Sequence, residues 1–261
     1  MSDHKEDTVD SRPGWRAGMA KGRKSVVLGV AAVFALIGLS YLAGYALEWH
    51  RTQISRNLIG ELKRLDVGKT TEAQIRKLSE RYAGKYSPAH FESQIQMWHP
   101  ASYYVEVVSP YMMVAGSART LPGLKSWLFY ASLEVEQGYL SNLHLSLNAL
   151  RSDGFWLHST IRLLGKNPSG APDGVAYYVS EAHITGPPGE ALVVELGPTA
   201  TWEEREKGFG FNFSCLTAFR ECRHVCQTMP SAWRDLTPRG WLTYEDGRQV
   251  NDYSECGKGT P

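Results

Sequence analysis

The sequence predicts an α+β fold behind one membrane anchor: an N-terminal transmembrane helix, a helical hairpin, an antiparallel β-sheet meander, and a C-terminal cysteine-bearing helix followed by a β-hairpin. Three observations carry this reading. Residues Val26–Leu47 are 22 consecutive positions without a charge. Six runs between Tyr103 and Leu196 are rich in β-branched and aromatic residues and are separated by turn signals. All four cysteines lie between Cys215 and Cys256. The implied organisation is a basic, disordered head (1–25), the transmembrane helix (26–47), a helical hairpin stalk (48–90) and an α+β domain (91–261).

The apolar run comes first. At 1.5 Å per residue it spans about 33 Å, enough for a hydrocarbon core of roughly 30 Å. Tyr41, Tyr45 and Trp49 cluster at its far end, where amphipathic rings favour the headgroup layer. Arg12, Arg16, Lys21, Arg23 and Lys24 crowd its near side. The positive-inside bias therefore predicts a cytoplasmic N-terminus, an extracytoplasmic C-terminal domain and residence in the cell (inner) membrane. Gly44-Tyr45-Ala46 offers a signal-peptide cleavage site, but the run far exceeds an ordinary h-region, so an uncleaved signal-anchor is the expectation. The small-residue pairs Ala31/Ala35 and Ser40/Gly44 allow a weak homodimer through this helix.

Beyond the anchor, Ile54, Leu58, Leu62 and Leu65 repeat at the spacing of one helical face. Gly68 ends that helix, and Thr70 or Thr71 caps the next, which carries Ile75, Leu78 and Tyr82 and stops near Gly84. Gly68-Lys69-Thr70 is not a phosphate loop, because Lys63 stands where the first glycine belongs and a helix precedes it instead of a strand. The LxxLxxGxTxxxxI pattern of this stretch, Leu62 to Ile75, resembles short helical hairpins of envelope-assembly lipoproteins.

The expected strands are Tyr103–Ser109, Trp127–Glu136, Tyr139–Leu150, Phe155–Leu164, Val175–Ile184 and Ala191–Leu196. Their short connections imply an antiparallel meander with one buried and one wetter face. Leu143, Leu145 and Leu147 alternate with His144, Ser146 and Asn148. Phe211–Met229 returns to helical spacing and is stopped by Pro230, and Asp246-Gly247 marks a terminal hairpin.

Cys215, Cys222, Cys226 and Cys256 are disulfide candidates, as an even number of cysteines in an exported domain suggests. Positions seven apart on a straight helix are too distant to bridge. Cys215 is therefore expected in a loop before the helix, reaching one of Cys222 and Cys226, with Cys256 returning to the other. Neither a CxxC knuckle nor a metal-binding histidine on the same face is present, so no metal and no cofactor are expected. Phe213-Ser-Cys-Leu-Thr-Ala-Phe-Arg-Glu-Cys together with Met229-Pro-Ser-Ala-Trp233 resembles a stretch of uncharacterised bacterial single-pass membrane-anchored proteins. That resemblance covers about thirty residues and implies a compartment, not an activity.

Charge narrows the function classes. The chain carries 28 Lys+Arg against 27 Asp+Glu, and residues 49–261 hold 22 of each. That balance excludes nucleic acid as the main partner. No GxSxG, HExxH or DxDxDG motif occurs. On the polar faces of the strands, His144, His158, Arg162, Glu181 and His183 are the candidate ligand-binding set; the plainer reading of them is a solvated face. Glu134 and Glu136 read as exposed surface. The expectation is a binding or scaffolding module with an envelope protein partner. The alternative is a membrane-tethered extracytoplasmic enzyme whose site forms only in three dimensions.

The anchor makes a direct prediction. The full-length chain should remain with membranes through alkaline carbonate washing, and a soluble species beginning near Leu47 would show that cleavage prevails.

Overall fold

The computed structural model describes residues 14–92, 97–109, 126–171, 175–185, 188–217, 222–236 and Cys256. It forms two compact units, Met1–Ala46 and Leu47–Pro261. In the first, the chain is helical from Gly14 as part of α1 (Gly14–Leu62). Its apolar side chains lie open, with Leu28 71% and Phe34 69% exposed. A helix apolar on every side belongs in hydrocarbon, and this one is long and apolar enough to cross a membrane.

In the second unit the last turns of α1 become amphipathic. Glu48, Thr52, Ser55, Leu58 and Leu62 recur every three or four residues, and all are buried. Thr52 and Ser55 return their hydroxyls to the carbonyls of Trp49 and Arg51, at 2.8 and 3.3 Å, which satisfies them without an outside partner. Gly68 takes φ +77°, as expected of the residue that turns the chain between the helices. Thr71 caps α2 (Glu72–Arg81) in a reciprocal capping box with Gln74. Glu61 then ties the two helices together, accepting from Arg81 at 2.5 Å and from the Tyr82 hydroxyl at 2.9 Å. The hairpin is not free-standing: Leu58, Leu62, Ile75 and Leu78 belong to the main core.

The sheet has seven strands in the order β1-β4-β5-β6-β7-β9-β8. The strands are β1 (Lys85–Ser87), β4 (Ala101–Val108), β5 (Ser126–Glu136), β6 (Tyr139–Leu150), β7 (Trp156–Leu163), β8 (Tyr177–Thr185) and β9 (Pro188–Leu196). A separate two-stranded ribbon pairs β2 (His90–Glu92) with β3 (Met97–His99). The six expected strands are all present, and β1, β2 and β3 are additional short ones. Gln137 and Gly138, at φ 52° and 80°, make the tight β5–β6 turn.

The sheet departs from an antiparallel meander in one place, where β7 and β9 run parallel. The connection after β7 carries the chain past the next position to the edge, and β9 then fills the gap between β7 and β8. Leu164 donates to the Leu196 carbonyl and Gly197 to that of Ala176, which fixes both ends of this crossing. Gly189, the second residue of β9, lies opposite Trp156, and a Cβ there would stand 2.7 Å from the Trp156 carbonyl oxygen. Only glycine permits that approach.

One face of the sheet is the core. Tyr103, Val105, Trp127, Phe129, Leu133, Leu143, Leu145, Leu147, Ile161 and Val194 point into it and are essentially inaccessible. Against them pack the end of α1, α2, and the C-terminal pieces α3 (Trp202–Gly208), α4 (Ser214–Thr217), a 3-10 turn (Val225–Gln227) and α5 (Pro230–Leu236). Phe129 meets Phe211 and Phe213 edge-on at 5.8 and 6.0 Å, a favoured aromatic arrangement.

The single cysteine-bearing helix over 211–229 does not form. Cys215 sits in the one-turn α4 rather than in a loop, Cys222 in an irregular segment, and Cys226 in the 3-10 turn. This break is what lets Cys215 reach Cys222, with Cα atoms 5.2 Å apart. Cys226 pairs with Cys256 across thirty positions. Two buried polar devices hold the broken segment. Glu190 accepts from the Val225 backbone at 2.9 Å and lies 3.3 Å from His224 Nδ1. Thr228 donates to the Val225 carbonyl at 2.5 Å and pairs with Ser159 of β7. Pro230 begins a helix instead of ending one, which suits a residue with no N–H at the first helical position. The expected Asp246-Gly247 hairpin lies outside the described residues.

The bridges constrain the unfolded chain by roughly 2–3 kcal/mol for the shorter loop and roughly 3–4 kcal/mol for the longer. Replacing Cys226 and Cys256 together by serine should lower Tm by roughly 5–15 °C under oxidising conditions and leave the strand signal in far-ultraviolet circular dichroism intact. A Tm equal to wild type would show that the second bridge contributes nothing.

Candidate functional site

The face of the sheet turned away from the helices carries the polar half of each alternating strand. Register assembles it. Tyr104, Ser132, His144, Arg162 and Glu195 are successive cross-strand partners on β4, β5, β6, β7 and β9, forming one row across five strands. Glu106, Tyr130, Ser146, Thr160 and Val193 form the next row. Neighbouring strands lie about 4.8 Å apart, so each row is a ladder of touching side chains.

The contacts within it are specific. Tyr104 and Tyr130 stack with centroids 5.8 Å apart, and Tyr130 meets His144 edge-on at 6.2 Å. Arg162 pairs with Glu195 at 3.1 Å while its side chain stays 47% exposed. Glu134 accepts from Asn142 at 2.8 Å, so it is a bonded member of this face, whereas Glu136 is exposed. Asn148 Oδ1 is the hub of the lower rows, accepting from Ser146 at 3.1 Å and lying 2.7 Å from His158 Nδ1. A carboxamide oxygen only accepts, so Nδ1 of His158 carries the proton in this arrangement and Nε2 presents its lone pair. Trp156 stacks on the same imidazole at 5.8 Å.

Both histidines are held below the ordinary imidazole range. For His144 burial acts first, then the neighbouring Arg162 guanidinium, with Glu134 opposing. For His158 burial is the cause. Burial raises the Tyr130 phenol in the same way. Near neutral pH the face therefore offers uncharged imidazoles and phenols beside the Arg162–Glu195 pair and the carboxylates of Glu106 and Glu134. That combines hydrogen-bonding and stacking chemistry with an excess of acidic groups.

The sequence candidates divide accordingly. His144, His158 and Arg162 share this face. Glu181 and His183 stand on β8 in register with Leu192 and Glu190 of β9, and their side chains lie outside the described residues. Tyr104, Tyr130 and Glu195 are not among the sequence candidates, and Asn148 is named there only as an alternating polar position. The alternation of β4 and β5 contains the signal for Tyr104 and Tyr130. Glu195 becomes a neighbour of Arg162 only through the parallel β7–β9 pairing. Among the described residues no group of three His, Cys, Asp or Glu side chains is placed to hold a metal ion.

No family model, curated protein or solved structure matches this chain.

The depressed histidines set a direction for pH dependence. Their unfolded pKa is about 6.5. Stability is fully present above that value and falls as pH drops through it toward the lower folded pKa values, because the unfolded chain takes up protons first. Tm should decline between pH 7 and 5, and His144→Gln with His158→Gln should flatten that decline. An unchanged slope in the double variant would show that these imidazoles are not the titrating groups.

Proposed function

We propose that this chain is a membrane-anchored binding module of the cell envelope, and that the polar and aromatic face centred on His144, Arg162 and Tyr130 is its recognition surface. The observation that carries the reading is the ordered row Tyr104–Ser132–His144–Arg162–Glu195, which spans five strands without an apolar member. Partly accessible, mutually oriented polar and aromatic side chains on a rigid sheet are pre-organised for a ligand, and little ordering entropy is lost when one docks. The apolar helix supports lipid-bilayer attachment, and the two disulfides support an oxidising, extracytoplasmic setting. The cation bias before Val26 favours a cytoplasmic N-terminus in the inner membrane. An envelope protein is the partner class that fits such a tethered module.

Site-directed photocrosslinking in intact cells tests the reading. A photoreactive residue at Arg162 should give a discrete higher-mass adduct, and the same residue at exposed Glu203 on α3 should not. Adducts of equal yield at both positions, or none at Arg162, would sink it.

A further inference from the structure

A cleft of about 290 Å³ lies on the helix-covered side of the sheet, at its β1 edge. One wall is α2, through Glu72, Arg76, Ser79 and Glu80, and the other is Gly84, Tyr86 and Tyr103. The helix and the strand come this close because Gly84 has no side chain. A Cβ there would collide with Ser79 Oγ and stand 2.6 Å from the Tyr104 carbonyl oxygen. Gly84 also donates its N–H to the Ser79 carbonyl at 2.8 Å, which fixes the turn between the two elements.

Part of the lining is already matched. Tyr103 donates its hydroxyl to Glu72 Oε1 at 2.9 Å, and Arg76 donates to the Tyr103 oxygen at 3.3 Å and to Glu72 at 3.4 Å. Within this triad the two charges cancel. A carboxylate, a hydroxyl and a ring are left over. Glu80 is exposed and makes no ion pair among the described residues. Ser79 is 2% exposed, and its hydroxyl has no hydrogen-bond partner among the described residues. That hydroxyl is not sealed from solvent, so its open side is the cleft that Ser79 lines. Tyr86 is 54% exposed, with its ring tilted against that of Tyr103 at 4.9 Å.

These leftover groups share one chemical preference. Ser79 and Glu80 stand in the last turn of α2, where the carbonyl end of the helix dipole favours positive charge. Arg81, the cation of that turn, is spent on Glu61. Carboxylate and hydroxyl oxygens both accept from N–H, and an aromatic ring attracts a cation to its face. We propose that this cleft binds a primary ammonium group, carried by a small amine or by a lysine side chain. Its charge lies against Glu80, one N–H goes to the Ser79 oxygen, and its alkyl stem runs along Tyr86. The site is separate from the polar sheet face and does not depend on it.

The test uses the full-length protein in detergent and reads both Tm and calorimetric affinity. The probes are n-butylammonium, Nα-acetyl-lysine N-methylamide and tetramethylammonium, each compared with sodium at equal ionic strength. n-Butylammonium should raise Tm saturably, and tetramethylammonium, which has no N–H to give, should bind more weakly. Glu80→Gln, a change at an exposed side chain, should weaken n-butylammonium about fivefold, the worth of a well-placed exposed ion pair. Glu203→Gln on α3 should leave that affinity as it is. Binding of the lysine derivative as well identifies a lysine side chain of a partner as the source, and binding of n-butylammonium alone identifies a free amine. No shift beyond sodium, equal affinity for tetramethylammonium, or the same affinity in Glu80→Gln as in wild type or Glu203→Gln overturns the proposal.

Discussion

The second unit depends on one junction at the start of β5, where Trp127 meets Glu48 and Phe213. The indole Nε1–H of Trp127 donates to Glu48 Oε1 at 2.6 Å, while its ring meets Phe213 edge-on at 6.2 Å. A carboxylate this deeply buried is tolerable only if hydrogen-bonded, and an indole this deeply buried needs an acceptor. Each group solves the other's problem. The bond joins residues 79 positions apart, so within the second unit the last turns of α1 are fixed to β5. Phe213 is touched by both Trp127 and Phe129 and lies under the Arg56 guanidinium, 5.9 Å from its ring centre. The cysteine-bearing segment is thereby held against the same place.

This arrangement explains why the two faces of the sheet differ. Helical segments from both ends of the chain converge on one face and exclude water from it. The disulfides and the Glu190 and Thr228 devices keep the C-terminal segment there although it lacks a continuous helix. With the last turns of α1, α2 and the C-terminal helices packed on that side, the other face carries side chains chosen for something other than helix packing. Its serines, tyrosines and histidines are half-buried by one another, which is what depresses the histidines and fixes the His158 tautomer.

Much of this was legible in the sequence, for identifiable reasons. The strands β5 and β6 alternate cleanly because one face is dry, and His144 and His158 could be assigned to the wetter side from parity alone. Thr71 and Gly68 declared themselves through local backbone chemistry. The failures are all non-local or fall below the length at which periodicity speaks. Nothing in the residues after Leu163 states that β8 will pass over a vacant position for β9 to fill, which is what sets Glu181 and His183 in register with Leu192 and Glu190 and not beside β7. The seven-residue α3 does carry a capping box, Thr201 with Glu204, a signal present but passed over. The cysteine segment misled because its apolar spacing suits a helix, whereas tertiary bonds from Glu190 and Ser159 hold a broken path.

The same contrast runs through the sheet face itself. Its rows could be anticipated because alternation along a strand is a local property, and register then only had to bring the strands side by side. Glu195 could not, because it stands beside Arg162 only through the parallel β7–β9 pairing, and no spacing in the chain relates the two.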